Sequence, residues 1–140
     1  MEVRQGMSSV VLTVGTGHTL REAAQRMTEK GVGAAVVLDE EQPGPAIVSE
    51  RDILISLGRG EDPDVERVGD HMTDTVISAA PDWSLERAAV EMSRRHIRHL
   101  VVVEGGELVG VLSMRDIVRC WTADGATAST ISPDAEQNAA

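Results

Sequence analysis

The chain is written twice, and that feature constrains its fold more than any other. Residues 7–27 and 72–92 align without a gap, with Met7 over Met72 and Leu20 over Leu85, an offset of 65. Leu20, Ala23, Ala24 and Met27 fall on Leu85, Ala88, Ala89 and Met92. The apolar i, i+3, i+4, i+7 stripe of a one-face-buried helix is therefore duplicated with its spacing. Thr19 with Glu22 three residues on reads as a capping box, and Ser84 supplies the cap of the second copy without that Glu. The spacing predicts helices over 20–30 and 85–95.

Short apolar runs follow each helix, Ala34-Ala35-Val36-Val37-Leu38 and His99-Leu100-Val101-Val102-Val103, and read as buried strands. The loop after the first, Asp39 to Pro45, is one residue longer, whereas Glu104-Gly105-Gly106-Glu107 is a tight hairpin signal. A third shared block pairs Ala46–Leu54 with Gly110–Val118 at an offset of 64, a strand turning directly into a helix. The class expected is α/β (α+β), a tandem of β-α-β-β-α repeats. The first repeat is assigned to 3–58, a linker with a short helical connector over 65–71 to 59–70, and the second repeat to 71–121. Beyond Trp121 the apolar period stops, so 122–140 is expected to be a disordered tail.

Composition narrows the function. The chain has 140 residues and 41% hydrophobic content, with two Trp and no Phe or Tyr, so its core is aliphatic and stacking on bases is nearly unavailable. A formal charge of -10 repels polyanions and argues against nucleic acid or an anionic membrane as partner. One cysteine, Cys120, cannot form an internal disulfide, and neither a signal-type start nor a transmembrane-length apolar run is present, so a cytoplasmic location is expected.

The duplicated unit, with Val68-Gly69-Asp70-His71-Met72-Thr73 as a repeat entry, Val3 to Ser8 as a weaker one, and Pro81-Asp82-Trp83-Ser84-Leu85 before a helix, resembles the cystathionine β-synthase-type (CBS) domain family over residues 3–121. The resemblance implies two repeats packed through their sheets as a pseudo-twofold pair, leaving two clefts for adenosine-containing ligands. It implies AMP or ATP as ligand, with S-adenosylmethionine or NAD as relatives, and a regulatory homodimer acting on an unidentified protein. The opposing reading is a structural protein–protein interaction domain with empty clefts.

Site residues follow from the same likeness. Ser49-x-x-Asp52 and Ser113-x-x-Asp116 each sit where a strand becomes a helix, a place that favours anions. Ser-x-x-Asp is also a capping box that merely satisfies its own helix. The resemblance gives these Asp residues the ribose hydroxyls and adds Ile77 and Arg115 to the nucleotide set. It gives phosphate to Arg98 and His99, the latter expected to be partly protonated near neutral pH. The run Arg94-Arg95-His96-Ile97-Arg98-His99 has Gly31-Val32-Gly33-Ala34 as its first-copy counterpart, so the clefts should differ in phosphate capacity. Arg94 and Arg95 read as solvated helix-end charges. His96-x-x-His99 makes a poor metal pair without a third ligand. His18 and His71 are expected on the surface, and Cys120 in packing. No Gly-x-Ser-x-Gly, Walker-type loop or clustered catalytic set occurs, so no catalytic residues are assigned.

Overall fold

The computed structural model describes residues 1–74 and 76–123. A short helix α1 (Val3–Gly6) precedes β1 (Thr13–Val14), α2 (Leu20–Lys30), β2 (Ala34–Val37), β3 (Ala46–Ser49) and α3 (Glu50–Gly58). After a 3-10 turn at Val68–Asp70, the pattern returns as β4 (Ser78–Ala79), α4 (Leu85–Arg95), β5 (His99–Glu104), β6 (Glu107–Ser113) and α5 (Met114–Ala123). Each copy makes a three-stranded sheet, ordered β1-β2-β3 and β4-β5-β6, with the first pair parallel and the second antiparallel. The parallel pair needs a crossover, which α2 and α4 supply.

Helix starts are fixed by their caps. Thr19 accepts from the Glu22 N–H while Glu22 reaches back to the Thr19 N–H, and Ser84 accepts from the Arg87 N–H alone. Each stripe then buries one face: Leu20, Ala23 and Met27 in one cluster, Leu85, Ala88 and Met92 in the other. Burying each Leu or Met contributes about 1.5–3 kcal/mol. Alternate strand residues Ala35 and Val37, and Leu100 and Val102, point into these clusters. Val36 and Val101 face the other way and are still only 1% exposed, so both faces of each central strand are covered.

The hairpin forms as expected, with Glu104 opposite Glu107 and Gly105 and Gly106 at φ 59 and 82, values that glycine adopts without strain. Three expectations change. The connector over 65–71 is helical only over the three 3-10 residues Val68–Asp70, where Gly69 lies against Thr16, whose Cβ would be 3.1 Å from an added Cβ. Leu38 lies outside β2 and is half exposed. Helix α5 runs to Ala123, two residues into the stretch assigned to a tail, and 124–140 lie outside the described residues.

The repeat entries are exchanged in space. Val68, ahead of the second repeat, is fully buried in the first repeat's cluster, and its N–H donates to the His18 carbonyl at 2.8 Å. Thr73 pairs with Ile47. Val3, at the head of the first repeat, is fully buried in the second cluster, and its N–H donates to the Trp83 carbonyl at 2.8 Å. Ser8 pairs with Val111. The two sets of bonds match residue for residue across the repeat, which is the pseudo-twofold relation expressed in hydrogen bonds.

Candidate functional site

Between the repeats lies a cavity of about 630 Å³. It gathers Arg98, His99, Ser113, Arg115 and Asp116 of the expected set. Ser49, Asp52 and Ile77 lie outside its lining; Ile77 packs half-buried against the second core. The repeat explains the division, since Ser49 and Asp52 are the counterparts of Ser113 and Asp116, and Ile77 is the counterpart of Leu12, which does line the cavity. Leu12 was recoverable from sequence by carrying Ile77 across the offset.

Both Ser-x-x-Asp motifs are capping boxes. The Ser49 and Ser113 N–H groups donate to Asp52 and Asp116 at 2.8 Å, and the Asp N–H groups donate back to the Ser hydroxyls at 3.3 and 3.0 Å. Asp116 is 9% exposed, and its other oxygen lies 3.2 Å from Arg119. Each carboxylate oxygen has two lone pairs, so these contacts leave acceptor capacity on Asp116, which lines the cavity. The capping role therefore coexists with a capacity to receive hydroxyls.

The basic residues separate by what they already hold. Arg94 and Arg95 pair with Glu91 at 3.5 and 3.1 Å on an exposed helix end, contacts that contribute little. Arg115 crosses to the other repeat and donates to the Gly31 carbonyl at 2.7 Å; its counterpart Arg51 donates to the His96 carbonyl at 3.3 Å. These two struts tie each repeat to the end of the other's helix, and Arg51 was not singled out in the sequence. The Arg98 guanidinium makes no hydrogen bond or ion pair among the described residues and stands at the cavity as an uncommitted cation. Burial holds His99 below the ordinary histidine pKa in spite of Glu50 and Asp116, with Arg115 and Arg98 adding to the depression. Against the expected partial protonation of His99, this burial shifts the balance toward the neutral imidazole.

Glu50, Met114 and the stretch Val10–Leu12 also line the cavity and were not anticipated. Outside it, Glu61, Glu66 and His71 bring their ligand atoms within 4.8 Å of one another. Each is accounted for by a neighbour, since His71 Nε2 lies 2.8 Å from Glu66 and the Ser56 hydroxyl donates to Glu61 at 3.0 Å. His71 is 11% exposed, not a surface residue, and His18 is half-buried with its Nδ1 accepting from the Gly15 N–H. His96 caps α4 and joins no metal-type group with His99 among the described residues. Cys120 is buried beside Gly6, in keeping with a packing role.

Two β-α-β-β-α units related by a pseudo-twofold, with a polar-edged cavity between them, define a paired-repeat module. The CBS domain model matches residues 2–59 and 68–122, and the chain belongs to the CBS-domain family. An uncharacterized protein of Methanopyrus kandleri, MK0525, is 32% identical over 78% of the chain, but the match takes in only 57% of that protein's own length. A solved protein with CBS domains from Burkholderia ambifaria MC40-6 superposes with a TM-score of 0.82 at 30% identity, covering 89% of this chain and 96% of that one. PAE2072 of Pyrobaculum aerophilum, solved in complex with AMP, gives a TM-score of 0.77 at 33% identity over 91% and 99% of the two chains. No helix among the described residues is long and apolar enough to cross a membrane.

Proposed function

We propose that the chain is a regulatory CBS pair that senses an adenine nucleotide of the AMP, ADP or ATP type in the cavity between its repeats and performs no catalysis. The observation that carries this reading is that the Ser113–Asp116 edge and the uncommitted Arg98 line one and the same cavity. A carboxylate with spare lone pairs suits the two hydroxyls of a ribose, and a guanidinium suits a phosphate. The volume is that of a small-molecule site, about 300–1,000 Å³. The AMP complex of PAE2072 supports the ligand class.

Ser49, Asp52 and Ile77 belong, on this reading, to the pseudo-equivalent second cleft, which takes ligand more weakly. The output passes through the Arg115–Gly31 and Arg51–His96 struts, because a ligand seated against both repeats fixes their relative angle. The regulatory form is a homodimer, using the exposed apolar side chains Leu54 and Leu57 of α3 and Val118 and Trp121 of α5.

Calorimetry and thermal shift with AMP and adenosine test the proposal. A ligand that binds only the folded chain must raise its melting temperature. Arg98→Ala should weaken AMP by about 10- to 150-fold, the value of a charge-assisted hydrogen bond of about 1.5–3 kcal/mol, and leave adenosine nearly unchanged. No shift with either ligand at millimolar concentration would return the chain to the interaction-domain reading, and equal losses would remove Arg98 from phosphate binding.

A further inference from the structure

Glu50 is the first residue of α3, directly after the cap Ser49, and its side chain lines the cavity together with Arg98 and His99. Its carboxylate lies over Gly33, so closely that a Cβ added there would sit 3.1 Å from Oε1. The Glu50 N–H donates to the Gly33 carbonyl at 2.9 Å and fixes the base of the side chain. Gly33 is the repeat counterpart of Arg98, so one half puts a guanidinium at this place while the other leaves it bare and a carboxylate takes the space. The counterpart of Glu50 is Met114, whose N–H makes the matching bond to the Arg98 carbonyl at 2.8 Å. An uncharged residue therefore does the same structural work, and the charge at position 50 is not required by the fold. Like Arg98, the Glu50 carboxylate makes no hydrogen bond or ion pair among the described residues.

The cavity thus holds one uncommitted cation and one uncommitted anion. We propose that Glu50 determines phosphate number, making the cavity select a nucleoside monophosphate over the corresponding di- and triphosphate. The proposal rests on the adenine-nucleotide reading of the same cavity. A single phosphate can be met by Arg98, whereas each further phosphoryl group adds negative charge in a space that already contains a carboxylate. Like charges at partly solvated separations repel modestly, which sets the expected selectivity at a few-fold for each added group rather than an absolute exclusion.

The test compares adenosine, AMP and ATP by calorimetry on the native protein and on Glu50→Gln, with EDTA present so that no divalent cation bridges the triphosphate to the carboxylate. Thermal melts establish that the variant is folded, which the exposed position of Glu50 favours. The native protein should bind AMP more tightly than ATP. Glu50→Gln should improve ATP over AMP by about threefold or more and leave adenosine unchanged. A native preference for ATP, an unchanged ATP-to-AMP ratio, or an equal gain for adenosine each overturns the proposal. Where all three ligands bind and only the ratio fails to move, the nucleotide reading stands and Glu50's role is removed; where none binds, the nucleotide reading itself has failed and takes this proposal with it.

Discussion

Arg98 and Gly33 occupy the same place in the two repeats, and so do Met114 and Glu50; the chemistry of the cavity resides in these departures from symmetry. Ser113 and Asp116 were legible in the sequence because the motif occurs twice and a strand-to-helix turn gives it a physical role either way. Glu50 was not, since a Glu after a helix cap ordinarily reads as a solvated first-turn charge. His99 was legible as a residue that lines the cavity, but the downward pull of burial on its pKa was not, because that depends on how deeply the neighbouring strands cover it. Its pKa is lowered from 6.5 by that burial. In the unfolded chain the imidazole takes up a proton as pH falls through about 6.5, while in the folded chain it stays neutral to lower pH. The stability it contributes is therefore present above pH 6.5 and lost as pH falls from there through the depressed value. Melting temperatures measured from about pH 7.5 to about pH 5 should fall more steeply for the native protein than for His99→Gln; parallel curves would show that His99 does not carry that limb.

Helix ends were the best-read elements, because caps are local chemistry: both long helices begin and stop where Thr19, Ser84, Gly31 and His96 place them. The connector was read only in part: its helical geometry is confined to Val68–Asp70, where the Gly69 N–H donates to the Thr16 carbonyl at 2.9 Å, a contact that local periodicity does not announce. The two long helices end alike in a left-handed residue, Gly31 at φ 65 and His96 at φ 55, each donating its N–H to two carbonyls of the last turn. Glycine adopts this conformation freely, whereas a residue with a Cβ pays roughly 1–2 kcal/mol, partly offset by the about 0.5–1 kcal/mol that glycine's flexibility costs on folding. His96→Gly should accordingly stabilise the protein by about 0.5–1 kcal/mol and raise the melting temperature by roughly 2–4 °C. The Arg51 strut binds the backbone carbonyl of residue 96 and survives the change. A lower melting temperature would mean that the His96 side chain contributes a contact worth more than the strain.

At the scale of the molecule, duplication made the architecture legible and concealed the exchange of entries. Val3 and Val68 stand at equivalent positions, so either would satisfy either core, and only the path of the chain decides which one does. Val3→Ala should therefore destabilise the second repeat by about 2 kcal/mol or more, with faster amide exchange in β5 and no comparable change in β2. Val10→Ala, at a residue 79% exposed, is the control expected to leave stability unchanged. Equal exchange in both strands would show that the halves unfold only as one unit.

Neither half owns all of its own core. The hydrophobic seat filled by Val68 belongs to residues that precede it, and the one filled by Val3 belongs to residues more than seventy positions away. A solitary copy of this unit would leave its seat empty and its leading segment without a host, and could close both only by borrowing from another molecule. Two copies in tandem are the smallest arrangement in which every such debt is settled within one chain.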